Sequence, residues 1–228
     1  MCGRFSFVAS KEKTQKQQGI KIIGVVQPNY NIAPMASAYV IASNKPTELQ
    51  RFAWGLIPHW SGEQPQGGAN LINARAEGIV SKPSFRIPIR QRRCIVLADS
   101  FYEWRNMPKQ KQPYRILLRD AAILPMAGIW DVWERPDRQL VYSFAIITTE
   151  ANADIAMLHE RMPVILPSLA AQKTWLAETT DLPTVLSLLQ PLPNGLLRSY
   201  PVSVDLNHTG NAMPTNPHKE IELPPALF

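Results

Sequence analysis

Proline sets the scale of structure in this chain. Twenty-one prolines run through 228 residues without collecting into one linker. No segment therefore marks itself as a boundary, and a single domain over 1–228 is expected. Because proline and its turn-forming neighbours punctuate regular structure, the segments between turns are short. Alternating or apolar runs predict strands at 38–43, 49–57, 94–104, 114–118, 126–132, 141–148 and 164–166. Turn-rich stretches such as SGEQPQGG and RNMPKQKQP separate them. Helices are fewer and later. Ser168 is placed to cap LAAQKTWLAE, Asp181 to open PTVLSLL, and a shorter helix is expected over 151–158. Runs of strands with peripheral helices, without regular strand-helix alternation, predict an α+β domain built mainly on antiparallel sheet. From about residue 207 the chain is rich in Pro and Asn and is expected to be a loop-rich tail.

With 45% hydrophobic residues, such a chain buries a core without disulfides or a structural metal. It holds no run of 20 apolar residues, and its start, MCGRFSF, lacks the basic-then-apolar layout of a secretion signal. A cytoplasmic location away from membranes is expected. Cys94 lies in the apolar run CIVLA, where a small buried thiol is expected rather than a partner for Cys2. The net charge of +6 suggests a polyanionic partner only weakly, but its distribution says more. Lys82, Arg86, Arg90, Arg92, Arg93, Arg105, Lys109, Lys111, Arg115 and Arg119 are opposed within their window only by Asp99 and Glu103. Such a segment either lines a phosphate-binding groove or forms a solvated face.

Four clusters carry chemistry. At MCGR, initiator methionine is normally removed before a small residue such as cysteine, and removal of Met1 leaves a 1,2-aminothiol on Cys2. Its amine, with a reference pKa of about 7.7–8.0, and its thiol, at about 8.5, both ionise near neutral pH. Amine attack on an aldehyde gives an imine, and the sulfur then closes a five-membered thiazolidine. Gly3 lets the backbone pass close to a substrate, and Arg4 can hold a phosphate. In LINARAE, Asn73 can donate to a sugar or oxyanion and Arg75 can grip phosphate. Just before it, in WGLIPHW, Trp54 reads as core, while Trp60 is either core or a face for base stacking. In ADSFYEW, Glu103 stands between aromatics, where partial burial would suit it to acid-base work; a salt bridge to Arg105 or another cation is the alternative. In LHERMPVIL, His159 can shuttle protons, and Arg161 can meet phosphate or neutralise a carboxylate. His59 is a weaker candidate, and His208 and His218 fall in the tail. No HExxH, CxxC or clustered acidic pattern predicts a metal site.

Taken in order, MCGRF, YNIAP (Tyr30 to Pro34), WGLIP, INARAE, FYEW and LHERMPVIL resemble the SOS-response-associated peptidase (SRAP) family from residue 2 to about 205. The resemblance implies the SRAP fold as one α+β domain, monomeric and without cofactor, with a positively charged groove for single-stranded DNA containing abasic sites. It implies that Cys2 forms a thiazolidine with the ring-opened sugar aldehyde, with Asn73 orienting the sugar or nucleophile. Glu103 would move protons, and His159 would assist opening of the sugar ring. It further implies DNA contacts by Arg4, Asn31, Arg75 and Arg161, with Trp60 packing by the strand. Gly3, Pro34 and Thr148 complete that set. A basic residue often found shortly after NAR-x-E is replaced here by SKPSFR, leaving Lys82 or Arg86 as imperfect substitutes. The expected outcome is shielding of the lesion in the SOS response to DNA damage, with strand cleavage by the imine as a side activity. The family's peptidase name reflects the freeing of the cysteine. Two other readings are an N-terminal-nucleophile amidohydrolase, a hydrolase that would release ammonia from glutamine, and a non-catalytic single-strand-binding module.

Overall fold

The computed structural model describes residues 2–65, 67–108, 110–209 and 216–222; Met1 and Lys109, both raised above, lie outside the described residues. Two sheets dominate. One has the order β12–β8–β7–β1–β2, built from β1 (Phe5–Phe7), β2 (Asn29–Ile32), β7 (Ser100–Asn106), β8 (Lys111–Leu118) and β12 (Leu197–Pro201). The other runs β11–β10–β4–β3–β6–β9, from β3 (Ser37–Ala42), β4 (Lys45–Trp54), β6 (Arg93–Ala98), β9 (Leu124–Glu134), β10 (Leu140–Glu150) and β11 (Arg161–Pro163). Because β9 also pairs with β10 along seven registered residue pairs, this second sheet closes on itself. Closure joins β10, β4, β3, β6 and β9 into a ring, to which β5 (Asn73–Arg75) and β11 are added at β10.

β10 is the spine of the second sheet. Its first half runs parallel to β4 at Ser143 and Phe144, and its second half parallel to the short β5 (Asn73–Arg75) at Ile146 to Thr148. On its other side it meets β9 and then β11. Most remaining pairings are antiparallel, so the expected α+β class holds. β1 joins the two layers: it pairs with β7 through Phe5 and Phe101, while the Phe5 ring stands edge-on to Trp54 of β4 at 4.9 Å. Both rings are fully buried, which fixes the start of the chain in the core.

Helix caps read from the sequence are present. Ser168 Oγ accepts from Ala171 N at the head of α3 (Leu169–Leu176), and Asp181 accepts from Thr184 N at the head of α4 (Leu182–Ser187). Two more helices were not expected, α1 (Lys11–Gln18) and the single turn α2 (Pro88–Gln91).

Three expectations are corrected. The run 94–104 is not one strand but β6 and β7, which belong to different sheets. At the break, the Asp99 carboxylate accepts from Val8 N and its backbone N donates to Ser6 O at 2.8 Å, turning the chain onto β1. The segment 151–158 forms turns instead of a helix. There Asn152 Nδ2 donates to Leu192 O (2.9 Å), and Asp154 accepts from Gly195 N and Leu197 N, so these side chains serve a neighbouring loop. Over 164–166 only Ile165 makes a bridge, to Met126, and the strand lies earlier as β11. The tail after Asn207 is loop where described, but it is anchored: Ile221 N donates to Pro201 O at 3.0 Å.

Candidate active site

Cys2, Asn73, Glu103 and His159, far apart in sequence, converge at the head of β1. The Asn73 Nδ2 donates to the Cys2 carbonyl at 2.9 Å, tying β5 to the N-terminal segment. Asn73 Oδ1 is buried and has no hydrogen-bond partner among the described residues. Tyr102 N donates to Arg4 O at 2.9 Å, which sets Glu103 of β7 beside the first residues of the chain. Cys2 is fully buried. Burial, and then the nearby Glu103 charge, push its thiol far above the ordinary value. The thiol therefore stays protonated near neutral pH, contrary to the partial ionisation that a reference cysteine suggests.

Glu103 is 4% exposed, and desolvation pushes its carboxyl up to about 7. This is the carboxylate between aromatics that the sequence singled out, and its environment lets it both take and give a proton. Burial also lowers the His159 imidazole, favouring the neutral form. Arg161 N donates to His159 Nδ1 at 2.9 Å, so in that neutral form the proton sits on Nε2. A neutral imidazole so held is a hydrogen-bond donor through Nε2.

Of these groups, Glu103 and His159 line a cavity of about 660 Å³ together with Gly3, Arg4, Trp104, Lys111 and Asn207, among others, while Cys2 stays buried beside Gly3. Arg4 Nη1 donates to Asn31 Oδ1 (2.7 Å) and Leu206 O (3.1 Å), while its guanidinium lies 5.7 Å from the centre of the Trp104 ring. Beyond Asn73 a second hollow of about 500 Å³ is lined by Arg75, Lys82, Ser84 and Phe85 among others. Arg75 and Lys82 are exposed there, and Arg86 is exposed one turn further on. Pro34 sits in the tight turn between β2 and β3, where Ala36 N donates to Ala33 O at 3.1 Å.

The other expected contact residues are placed as follows. Arg161 is 8% exposed and makes a two-pronged pair with Glu77, Nη1 to Oε1 at 2.9 Å and Nη2 to Oε2 at 2.8 Å. Its Nη2 also donates to Thr148 O at 2.7 Å. The pairing with Glu77 is the carboxylate contact that the sequence allowed for Arg161. Thr148 is fully buried, with Oγ1 lacking a partner among the described residues. Trp60 is 47% exposed on the loop after β4, next to His59, whose Nδ1 meets Asp131 at 2.9 Å. Asp131 lies opposite Ser143, at the end of β10 away from Thr148. Nor do the clustered cations share one face. Arg93 is buried and Arg92 pairs with Asp131, while Arg115 donates to Ser100 and Tyr200, and Lys111 reaches the cavity.

Sequence reasoning passed over Trp104 as a shelf for Arg4, though it stands in the FYEW motif. It also missed Asn207, whose Oδ1 accepts from Trp104 Nε1 at 2.6 Å and whose Nδ2 donates to Lys111 O at 3.2 Å. Nothing in the local sequence marks that asparagine. Among the described residues, no group of three or more His, Cys, Asp or Glu is placed to hold a metal, and no helix is long and apolar enough to cross a membrane.

Comparison with known proteins follows the same lines. The family model described as SOS response associated peptidase (SRAP) matches residues 1–209. The abasic site processing protein YoqW of Bacillus subtilis (strain 168) is 38% identical over 220 residues, covering 94% of this chain and 97% of its own. The abasic site processing protein HMCES of Gallus gallus is 33% identical over 224 residues, covering 84% of this chain and 66% of that protein. A crystal structure of a protein from Bacteroides thetaiotaomicron superposes with a TM-score of 0.79 at 30% identity, covering 90% of this chain and 93% of that one. The chain belongs to the SOS response associated peptidase (SRAP) family.

Proposed function

We propose that this protein captures abasic sites in single-stranded DNA covalently, through Cys2 exposed by removal of Met1, and so shields the lesion from cleavage. The observation that carries the reading is the seating of the buried Cys2 between Asn73 and Glu103, directly behind a cavity that Gly3, Arg4, Glu103, Lys111 and His159 line. Relatives named abasic site processing proteins, matched over nearly the whole chain, support the substrate.

The chemistry follows from the protonation states. A thiol held protonated leaves the α-amine as the first nucleophile. His159 Nε2–H hydrogen-bonds the ring oxygen of the sugar as the ring opens to its aldehyde. The amine adds to that carbonyl, and loss of one water gives the imine. Asn73, holding the Cys2 carbonyl, keeps the residue oriented as this happens. Sulfur then adds to the imine carbon, Glu103 accepting the thiol proton and delivering it to the nitrogen. One C–N and one C–S bond form, and one water leaves. Neither metal nor redox partner enters the balance.

The imine has a second exit, elimination of the 3′ phosphate, which ring closure by sulfur competes with. Incubation of processed protein with a single-stranded oligonucleotide bearing one abasic site should give a heat-stable adduct. Cys2→Ser should form far less of it and release cleaved strand instead. A heat-stable adduct that survives in Cys2→Ala would overturn the assignment.

A further inference from the structure

The family model ends at residue 209, yet beyond it His218 meets the Tyr102 hydroxyl and Ile221 N donates to Pro201 O, so this stretch packs on the strands behind the site. Arg4 is aimed by two acceptors, Asn31 Oδ1 and the Leu206 carbonyl. Both are backed by one residue, Tyr102. Its hydroxyl donates to the carbonyl of Tyr30, next to Asn31, at 2.8 Å, and its ring packs in a small apolar cluster with Val202 and Leu206. His218 in turn holds Tyr102. Since the Tyr102 proton is given to Tyr30, the 2.9 Å contact between His218 Nε2 and the Tyr102 hydroxyl requires His218 to donate. The imidazole also stands edge-on to the Tyr30 ring at 4.9 Å, and its backbone carbonyl accepts from Tyr200 at 3.2 Å.

We propose that His218 is a positioning residue for DNA binding: by donating to Tyr102 it braces both acceptors that aim Arg4 into the cavity. Burial, with the charge of Arg115, pushes this imidazole down to about 3, so it stays neutral at working pH and keeps a single proton for that donation. The side chain lies behind the cavity wall and does not touch the reacting atoms. Its effect belongs to binding of the strand and not to bond formation. The inference rests on the DNA reading above, but not on the thiazolidine.

The test uses the full, Met1-processed chain. Affinity for an undamaged single-stranded oligonucleotide is measured by fluorescence anisotropy, and adduct formation is followed over a range of abasic-oligonucleotide concentrations. His218→Ala should weaken binding and raise the half-saturating concentration about fivefold, the worth of one hydrogen bond, while the saturating adduct rate stays within about twofold. His218→Gln, which keeps an N–H at similar reach, should restore most of the loss. Tyr102→Phe, which removes the hydroxyl but keeps the ring, should reproduce His218→Ala and serves in its place if that variant does not fold. Unchanged binding in both His218→Ala and Tyr102→Phe overturns the proposal. So does a fall in the saturating rate with binding intact. Wild-type protein that forms no adduct, while the variants lose binding as stated, would sink the covalent reading and leave this one standing.

Discussion

Glu103 carries the heaviest demand of any single residue. A carboxyl near 4.5 in the unfolded chain and near 7 in the folded one binds more protons folded than unfolded across that interval. Stability from this group is therefore full below about pH 4.5 and falls as pH rises through about 7. Glu103→Gln removes the penalty, so its thermal unfolding should match wild type at pH 4.5 and exceed it at pH 8, by a margin on the order of 1–3 kcal/mol. Adduct formation by the same variant should slow by about 100-fold or more, the usual weight of a lost proton shuttle. Equal stability of the two proteins at pH 8 would show that the carboxyl is not raised. Glu103 and His159 were legible in sequence because polar, titratable groups interrupt apolar runs. The partner of Arg161 was not, since Glu77 lies 84 residues away and only folding brings them together.

At the scale of elements, caps were legible and tertiary anchors were not. Ser168 and Asp181 announce their helices because each is followed directly by a helix-compatible run. The first helix, KEKTQKQQ, has no apolar face to announce it. What holds the third helix is also invisible locally. The buried Arg93 guanidinium donates to the carbonyls of Trp175 (2.6 Å) and Ala177 (2.7 Å) at that helix's end, and to Ile89 (3.1 Å) and Arg90 (2.6 Å) of α2. Arg93→Ala strands four carbonyls and empties a packed site, so a loss on the order of 3 kcal/mol is expected in chemical unfolding. A change below about 0.5 kcal/mol, the range of ordinary surface substitutions, would show that the third helix is held otherwise.

Over the whole molecule, the sequence conveyed class but not connection. Short alternating runs between prolines led to an α+β domain, and that class is what forms. Closure of one sheet through β9 and β10, and the role of β1 in joining the layers, depend on pairings between segments of similar pattern, which periodicity cannot rank. The site depends on that topology, because β1 delivers Cys2 to the place where β5 and β7 present Asn73 and Glu103. In the proposed capture the amine of Cys2 is as necessary as its sulfur, and intact mass spectrometry tests this directly. Met1-processed protein, incubated with abasic single-stranded DNA, should gain the mass of the oligonucleotide less one water. The same chain with an uncleaved N-terminal extension should gain nothing, although its thiol is untouched. An extended protein that acquires the same mass, or a processed one that does not, would show that the Cys2 amine is not the group that captures the lesion.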